Sequence, residues 1–181
     1  MKSAAVSKQY AAALFQLAKE KNIVDEIEQD LQTVREVFVA VKDLEKVLQS
    51  PALAKEKKKK LITEAFSGLS PYVINTLQLL IDKRRFDYVL PIIDRYIELS
   101  YEMKGIAPVT IESVRPLTWE EKEALSAVFA KRINKQSLKI DNKVNPDLLG
   151  GIKIHLGNRI YDGSLRGKLD RLKRELVGYQ S

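Results

Sequence analysis

The sequence predicts a helical bundle followed by a smaller α+β domain, and three observations support that division. Over residues 1–104, apolar residues recur every three or four positions, which is the spacing of amphipathic helices. From residue 105 onwards, short β-branched segments alternate apolar and polar residues, as strands do. The chain has 181 residues, 45% of them hydrophobic, which is enough for one large domain or two small ones. We therefore predict an N-terminal all-α six-helix bundle over 1–104 and a small α+β C-terminal domain over 105–181.

Six helices are expected in the first domain, and Gly and Pro mark several of their limits. Gly68 is predicted to end the fourth helix as its C-terminal cap. Ser70 is predicted to cap the fifth helix, with Pro71 at its first position. In chain order the predicted helices cover about 6–21, 25–41 (with a seam of Ile27, Leu31, Val34, Phe38 and Val41), 44–49, 54–66, 71 onwards, and 86–104.

Strands and one helix are predicted next. Residues 107–114 alternate and read as a strand that places Val109, Ile111 and Ser113 on one face. A capping box at 118–121 then predicts a helix that runs to about Asn134. Further strand signals lie at 138–144, 151–156 and 159–161, the last two joined by a turn at Gly157 and Asn158.

The last predicted helix carries a leucine stripe beside basic residues. Ser164 is placed to cap its start. We expect the stripe to pack inside the domain, either as ordinary core or while the basic flank docks an acidic or mixed-charge partner helix. The stripe consists of Leu165, Leu169, Leu172 and Leu176, and the basic residues are Arg166, Lys168, Arg171, Lys173 and Arg174.

The residue types exclude most catalytic chemistry. The absence of Cys rules out disulfides, thiolate metal sites and cysteine nucleophiles, and one histidine rules out metal sites that need two imidazoles. No phosphate-binding loop, dinucleotide fingerprint or nucleophile elbow occurs. His155 falls on the outward face of its strand and is interpreted as a solvated side chain. We expect no enzyme activity, cofactor or metal.

The charge leaves a nucleic-acid-binding module open as an alternative. The formal net charge is +7, divided as +2 over residues 1–104 and +5 over 105–181. The densest basic run, Lys55–Lys60, lacks neighbouring aromatic platforms and is interpreted as a solvated helix face, with contact to phosphate or an acidic partner as the alternative.

Two further features concern apolar residues. Trp119, at the first position of its predicted helix, either packs into the core of the domain or is a partly exposed anchor. No apolar run approaches the roughly 18 residues that span a bilayer, so a soluble chain is expected.

Three segments carry a resemblance to a known family. Residues 10–14 (YAAAL) resemble its Y-A-x-A-L/F opening, and 75–91 resemble its N-x-L…R…L-P segment. Residues 147–172 contain LLGG, a later Gly157 and DGSLRGKL, which resemble its L-x-G-G…G…D-x-S-x-x-x-x-L-x-x-L signature. The family is the delta subunit of F-type ATP synthase, the bacterial counterpart of the mitochondrial oligomycin-sensitivity-conferring protein. The signature glycines, Asp162 and Ser164 also suit turns and helix capping, so we expect them to mark the fold and the binding surface to lie elsewhere.

The resemblance implies a non-catalytic stator subunit of the peripheral stalk, which couples proton-driven rotation to ATP synthesis. The first and fifth helices would form a groove for the N-terminal segment of an alpha subunit, and the C-terminal domain would grip the C-terminal ends of membrane-anchored b subunits. It implies a site on the cytoplasmic face of the bacterial plasma membrane, membrane contact only through partners, and no nucleic acid. By position, the groove residues are Tyr10, Ala13, Leu14, Leu17, Val73, Asn75, Thr76 and Leu77, and the b-subunit residues are Arg166, Leu169, Arg171, Leu172 and Arg174.

Overall fold

The computed structural model describes residues 2–41, 44–50 and 53–178, and the chain divides into two compact units. The first unit is Met1–Ser100 and the second is Tyr101–Ser181. The division falls within a helix that runs on to Lys104, close to the boundary that the sequence predicts. The first unit is helical and the second contains a four-stranded sheet, so the predicted change from helical to mixed structure is confirmed.

The first unit buries one hydrophobic core to which all of its helices contribute. In the second helix Ile27, Leu31, Val34 and Phe38 are buried as predicted, because they recur along one helical face. Val41 lies beyond the end of that helix and is 49% exposed, so its place in the predicted seam is wrong. The helices are α1 (Lys2–Lys21), α2 (Val24–Ala40), α3 (Leu44–Gln49), α4 (Lys55–Ala65), α5 (Pro71–Asp82), a 3₁₀ turn (Phe86–Tyr88) and α6 (Val89–Lys104).

Two buried hydrogen bonds join α6 to α2. The hydroxyl of Tyr96 donates to the carbonyl oxygen of Val24 at 3.1 Å, and the Ser100 hydroxyl donates to Glu28 Oε2 at 2.6 Å. The burial of Tyr96 raises the pKa of its phenol, with the nearby Glu28 carboxylate adding to the effect. These bonds satisfy polar groups that would otherwise cost free energy in the core, and they fix the register between the two helices.

The predicted caps around α4 and α5 need correction. Helix α4 ends at Ala65 with Phe66 as its C-cap, and Gly68 does not adopt the left-handed conformation of a capping glycine. Ser70 occupies the N-cap position of α5, but its side chain makes no capping hydrogen bond. Instead the Ser70 backbone N–H donates to Asp30 Oδ2 of α2 at 2.7 Å. A distant carboxylate therefore anchors the start of α5.

The second unit is a mixed sheet in the order β2-β1-β3-β4. Strands β1 and β2 are parallel and are connected through a helix, as parallel neighbours require, while the other pairs are antiparallel. Val109, Ile111 and Ser113 are all buried on one face of β1, as the alternation predicts. The elements are β1 (Ile106–Ser113), α7 (Trp119–Arg132), β2 (Ser137–Val144), β3 (Ile152–Leu156), β4 (Arg159–Asp162) and α8 (Leu165–Gly178).

Local signals set the ends of several elements in this unit. Thr118 and Glu121 form the predicted capping box at the start of α7. Helix α7 ends at Arg132, and Asn134 follows in a left-handed conformation. Gly157, at φ +54, makes the tight turn between β3 and β4. Where caps and turns depend on residues close in the chain, the sequence predicts them correctly.

Candidate interaction surfaces

The four groove residues predicted on α1 lie at the edge of the core. Leu14 is buried, Tyr10 and Leu17 are half-buried, and Ala13 is exposed. The spacing of three and four residues places all four on one side of the helix. Ala13 is therefore the member most open to a partner, while Leu14 supports the surface from beneath.

The residues predicted on α5 divide between the core and the opposite face. Val73 and Leu77 are buried, Thr76 is half-buried and Asn75 is exposed. The Thr76 hydroxyl donates within the helix, to the Tyr72 carbonyl oxygen at 2.8 Å. Leu79 is 43% exposed and was not predicted, although its position four residues after Asn75 places it on the same face. The outer face of α5 thus combines a polar amide with an exposed leucine.

Tyr10 also has a partner inside the first unit. Arg85 Nη1 lies 3.4 Å from the Tyr10 hydroxyl, and the guanidinium carbon lies 5.9 Å from the ring centroid. Arg85 immediately precedes the 3₁₀ turn, which contacts both α1 and α5. Tyr10 and Arg85, which lie in two separate segments that resemble the delta family, are therefore in contact. This contact holds the Tyr10 ring at the edge of the predicted groove.

The start of α8 is built from the C-terminal signature residues. Ser164 Oγ accepts a hydrogen bond from the Gly167 backbone N–H at 3.0 Å, which confirms the predicted cap. Asp162 Oδ1 accepts from the Ser164 hydroxyl at 2.6 Å and from its N–H at 2.9 Å, and these bonds lower the pKa of Asp162. The Leu165 N–H donates to the Gly150 carbonyl oxygen at 3.0 Å. The double glycine thus lies directly against the first turn of α8.

The leucine stripe of α8 is exposed, which corrects the prediction that it packs inside the domain. Leu165, Leu169 and Leu172 are 49%, 56% and 54% exposed, and the side chain of Leu176 lies outside the described residues. Positions 165, 169 and 172 fall within a narrow sector of the helix at 100° per residue. Arg166, Lys168, Arg171, Lys173 and Arg174 are exposed around this stripe. An apolar stripe with a charged rim is typical of an interaction surface.

Leu149 adds an exposed apolar residue beside the same helix start. It is 67% exposed and adopts φ +60, ψ −14 at the end of a short 3₁₀ turn at Pro146–Leu148. A leucine rarely adopts this left-handed conformation, and such outliers gather at functional sites. Leu149 is not among the residues predicted from the sequence, although a second leucine directly before a double glycine is a usable signal.

His155 is paired, and the interpretation as a solvated side chain is wrong. Its Nε2 lies 2.8 Å from Glu112 Oε1, and Asn145 Nδ2 donates to Glu112 Oε2 at 2.6 Å. The bond from Asn145, and then that from His155, lowers the pKa of Glu112 against the opposing effect of burial. Asn145 Oδ1 also accepts from the Asp147 N–H, so the cluster braces the 3₁₀ turn that leads to the double glycine.

Trp119 and the lysine run are placed by the structure more precisely than by the sequence. Trp119 is 68% exposed, so the interpretation as a residue that packs into the core is wrong, and its role as an anchor stays a prediction. Within the lysine run, Lys59 Nζ lies 2.6 Å from Asp82 Oδ2, and this contact lowers the pKa of Asp82. Lys58 is only 9% exposed, so the run is not a uniformly solvated face. It packs against the end of α5 instead.

The described part of the chain contains neither a metal-binding cluster nor a membrane-spanning helix. Across residues 2–41, 44–50 and 53–178, no group of three His, Asp or Glu side chains could hold a metal ion. Within the same residues, no helix combines the length and apolar character needed to cross a membrane.

A family model described as "ATP synthase delta (OSCP) subunit" matches residues 6–176. The chain belongs to this family. It is therefore a non-catalytic component of the peripheral stalk of F-type ATP synthase. The nucleic-acid alternative receives no support from the comparisons.

Bacterial members of the ATP synthase delta family resemble this chain over nearly its whole length. The ATP synthase subunit delta of Bacillus licheniformis is 47% identical over 178 residues, which cover 98% of this chain and 97% of that protein. The corresponding subunit of Geobacillus sp. strain WCH70 is 47% identical over 173 residues, which cover 96% and 97%.

Solved structures agree on the fold. A chain in the cryo-EM structure of the Toxoplasma gondii mitochondrial ATP synthase hexamer matches with a TM-score of 0.71, covering 94% of this chain and 97% of that one. At 18% identity this likeness shows the fold alone. A chain of the Polytomella F-ATP synthase matches 54% of this chain, and 88% of its own length, with a TM-score of 0.50 and 25% identity.

Proposed function

We propose that this subunit ties the catalytic head of ATP synthase to the membrane-anchored b subunits, so that the head does not turn with the rotor. The first unit, as a six-helix bundle, binds the N-terminal segment of an alpha subunit at the outer faces of α1 and α5. The second unit binds the C-terminal ends of b subunits through α8. The subunit then lies on the cytoplasmic face of the bacterial plasma membrane and reaches the membrane only through its partners.

The exposed leucine stripe of α8 carries this proposal. Three leucines, each about half exposed, recur at the spacing by which one amphipathic helix recognises another. Full burial of a leucine contributes about 1.5–3 kcal/mol, so covering the exposed half of three side chains contributes a few kcal/mol to binding. The surrounding arginines and lysines favour an acidic or mixed-charge partner helix and speed its encounter. A helical end of a b subunit has the required chemistry.

The α8 proposal is tested with the full chain and a soluble C-terminal fragment of the b subunit. Leu169→Asp and Leu172→Asp each introduce a charge into the stripe and should weaken binding at least tenfold in a calorimetric titration. Val128→Asp on α7 is the matched control, because Val128 is also apolar and 68% exposed. Equal affinity of the stripe variants and the control would remove b-subunit binding from this face.

The alpha-subunit surface is tested separately with a synthetic N-terminal alpha peptide. Ala13→Arg should block the predicted face of α1, whereas Ala12→Arg places the same side chain about 100° around the helix. Both alanines are exposed, so both variants are expected to fold. Leu14 is unsuitable for this test, because it is buried and a charge there would disrupt the core. Unchanged affinity of Ala13→Arg would place the peptide elsewhere.

The alternative, a basic nucleic-acid-binding module, would bind DNA or RNA tightly, whereas a stator subunit would not, so one further measurement separates the two proposals. A salt-titrated DNA and RNA binding assay should show only weak, salt-sensitive attraction from the +7 charge. Tight nucleic-acid binding together with no affinity for the alpha peptide would overturn the stator proposal.

A further inference from the structure

A cavity of about 520 Å³ lies in the helical unit, in the range of small-molecule sites. Its walls come from α3, the start of α4, the end of α5 and the 3₁₀ turn, and none of the lining residues that the structure describes belongs to α1. Three buried side chains give it an apolar wall: Leu48, Ile81 and Phe86 are 3%, 5% and 4% exposed. The cavity thus offers a ligand an apolar contact that is separate from both proposed stalk surfaces.

Lys58 is the unusual residue of this cavity. It is 91% buried, yet among the described residues its ammonium group has no hydrogen-bond or ion-pair partner. Every fully buried polar side-chain atom in the described part of the chain does have a partner. The Lys58 ammonium must therefore reach open space, and the cavity that Lys58 lines provides it. The aliphatic stem of Lys58 is therefore covered by protein, while its ammonium group faces the cavity and is available to pair with an anion there.

The neighbouring lysines do not share this property. Lys59 Nζ contacts Asp82 Oδ2 at 2.6 Å, and Lys55 Nζ donates to the Asp82 carbonyl oxygen at 3.2 Å. The Asp82 carboxylate is therefore already bound, and it is bound by Lys59. Lys58 points to a different side of the helix, because successive residues are rotated by about 100°.

The charge of the cavity wall is positive as a whole. Among the described lining residues, Lys55, Lys58 and Arg84 are basic and Asp87 is the one acidic residue. The Arg84 guanidinium has no hydrogen-bond or ion-pair partner within the described residues. Arg84 adopts φ +54 as the left-handed residue that ends α5, where its N–H donates to the Ile81 carbonyl oxygen at 3.1 Å and the Arg85 N–H donates to that of Leu80 at 2.8 Å. Positive groups in a concave, partly apolar site concentrate field lines and attract anions.

From this arrangement we infer that the cavity binds a small organic anion with an apolar body, such as an acyl or aryl carboxylate or sulfonate. The anionic group pairs with Lys58 and Arg84, and the apolar body lies against Leu48, Ile81 and Phe86. The cavity is a concave, partly open site lined by four chain segments, and its volume suits a compact ligand better than an extended peptide or nucleic acid. Its occupation is independent of the proposed alpha and b contacts.

The test uses the full chain and the fluorescent probe 8-anilino-1-naphthalenesulfonate, an aromatic sulfonate whose emission rises in apolar surroundings. Lys58→Met keeps the length of the side chain and removes its charge, and it should raise the dissociation constant roughly tenfold or more, as expected for a charge-assisted hydrogen bond. Lys57→Met is the matched control, because Lys57 is the adjacent and exposed lysine, and its dissociation constant should equal that of the unmodified chain.

Competition with octanoate and octanol tests whether the cavity requires a negatively charged ligand. Octanoate should displace the probe at a much lower concentration than octanol, since only octanoate supplies the anion. Probe bound to the exposed leucine stripe of α8 would be insensitive to Lys58→Met. Equal binding by the two methionine variants, or equal competition by octanol and octanoate, would therefore overturn the inference.

A second variant covers the case in which Lys58→Met does not fold. Thermal unfolding followed by circular dichroism checks the fold of each variant, and Lys58→Met should melt close to the temperature of the unmodified chain, because methionine fills the space of the covered lysine stem. Arg84→Gln removes an exposed cation from the rim and should weaken probe binding severalfold without affecting the fold. Unchanged affinity in a folded Arg84→Gln variant would by itself overturn the inference, because the proposal pairs the anionic group with both cations.

Discussion

Gly151→Ala should destabilise the second unit through the backbone at the start of α8. A methyl group at Gly151 would lie 2.4 Å from the Gly163 carbonyl oxygen and 3.1 Å from Ser164 Cα. Both are main-chain atoms, so no flexible side chain can move away to relieve the contact. Gly151 also has φ +75, in the left-handed region that alanine avoids.

The expected loss combines these two effects. The left-handed conformation costs alanine about 1–2 kcal/mol, and the displacement of close-packed backbone costs about 1–3 kcal/mol more. The free energy of unfolding should therefore fall by about 2–5 kcal/mol, a large fraction of the stability of a small domain. The displaced segment includes Gly163 and the cap at Ser164, so α8 should lose its anchoring first.

Urea unfolding followed by far-ultraviolet circular dichroism measures this loss, and hydrogen exchange with mass spectrometry locates it. Amides of β3, β4 and α8 should exchange faster, while those of the first unit stay unchanged. Gly68→Ala is the control, because a methyl group there meets nothing within 4 Å and its φ is not left-handed. A Gly151→Ala chain as stable as the unmodified one would refute the close approach on which the reasoning depends.

Three further predictions concern the second unit. The pKa of Glu112 is lowered from its ordinary 4.5, so its carboxylate stabilises the fold above that pH and loses this effect as the pH falls through the lowered value. Glu112→Gln should accordingly lower the melting temperature near neutral pH, and the gap should close in acid. Thr118→Ala should cost about 1 kcal/mol in urea unfolding through loss of the capping box, whereas Thr118→Ser should be nearly neutral. Leu149→Asn should stabilise the fold by up to about 1 kcal/mol, because asparagine tolerates the left-handed conformation. The same change should weaken binding of the b-subunit fragment. A fall in stability would contradict the inference that the backbone of Leu149 is strained.

The elements themselves were predictable because their signals are local. The seam of α2, the alternation of β1 and the capping box of α7 all depend on residues within a few positions of one another. Ser70 was predicted correctly at the N-cap of α5, but its side chain makes no capping hydrogen bond, and Gly68 does not cap α4. The N–H of Ser70 finds its acceptor in Asp30, forty residues earlier, and no local pattern reports that contact.

The pairing of side chains was less predictable than their placement. Tyr10 and Arg85 both lie in family-like segments, but only the fold shows that they touch. His155 lies on the outward face of β3, where Glu112 of the neighbouring strand β1 reaches it. Lys58 is one of four consecutive lysines, and its burial depends on how α4 meets the end of α5.

Some properties of the leucine stripe of α8 follow from the sequence alone, and others depend on the tertiary structure. Periodicity alone determined that residues 165–176 form a helix with leucines on one side and basic residues around them. Only the tertiary structure decided that Leu165, Leu169 and Leu172 remain exposed. The spacing of apolar residues is a property of one segment, whereas burial depends on whether another element lies opposite. In this chain the described residues leave that face of α8 open, as a subunit that joins other chains requires.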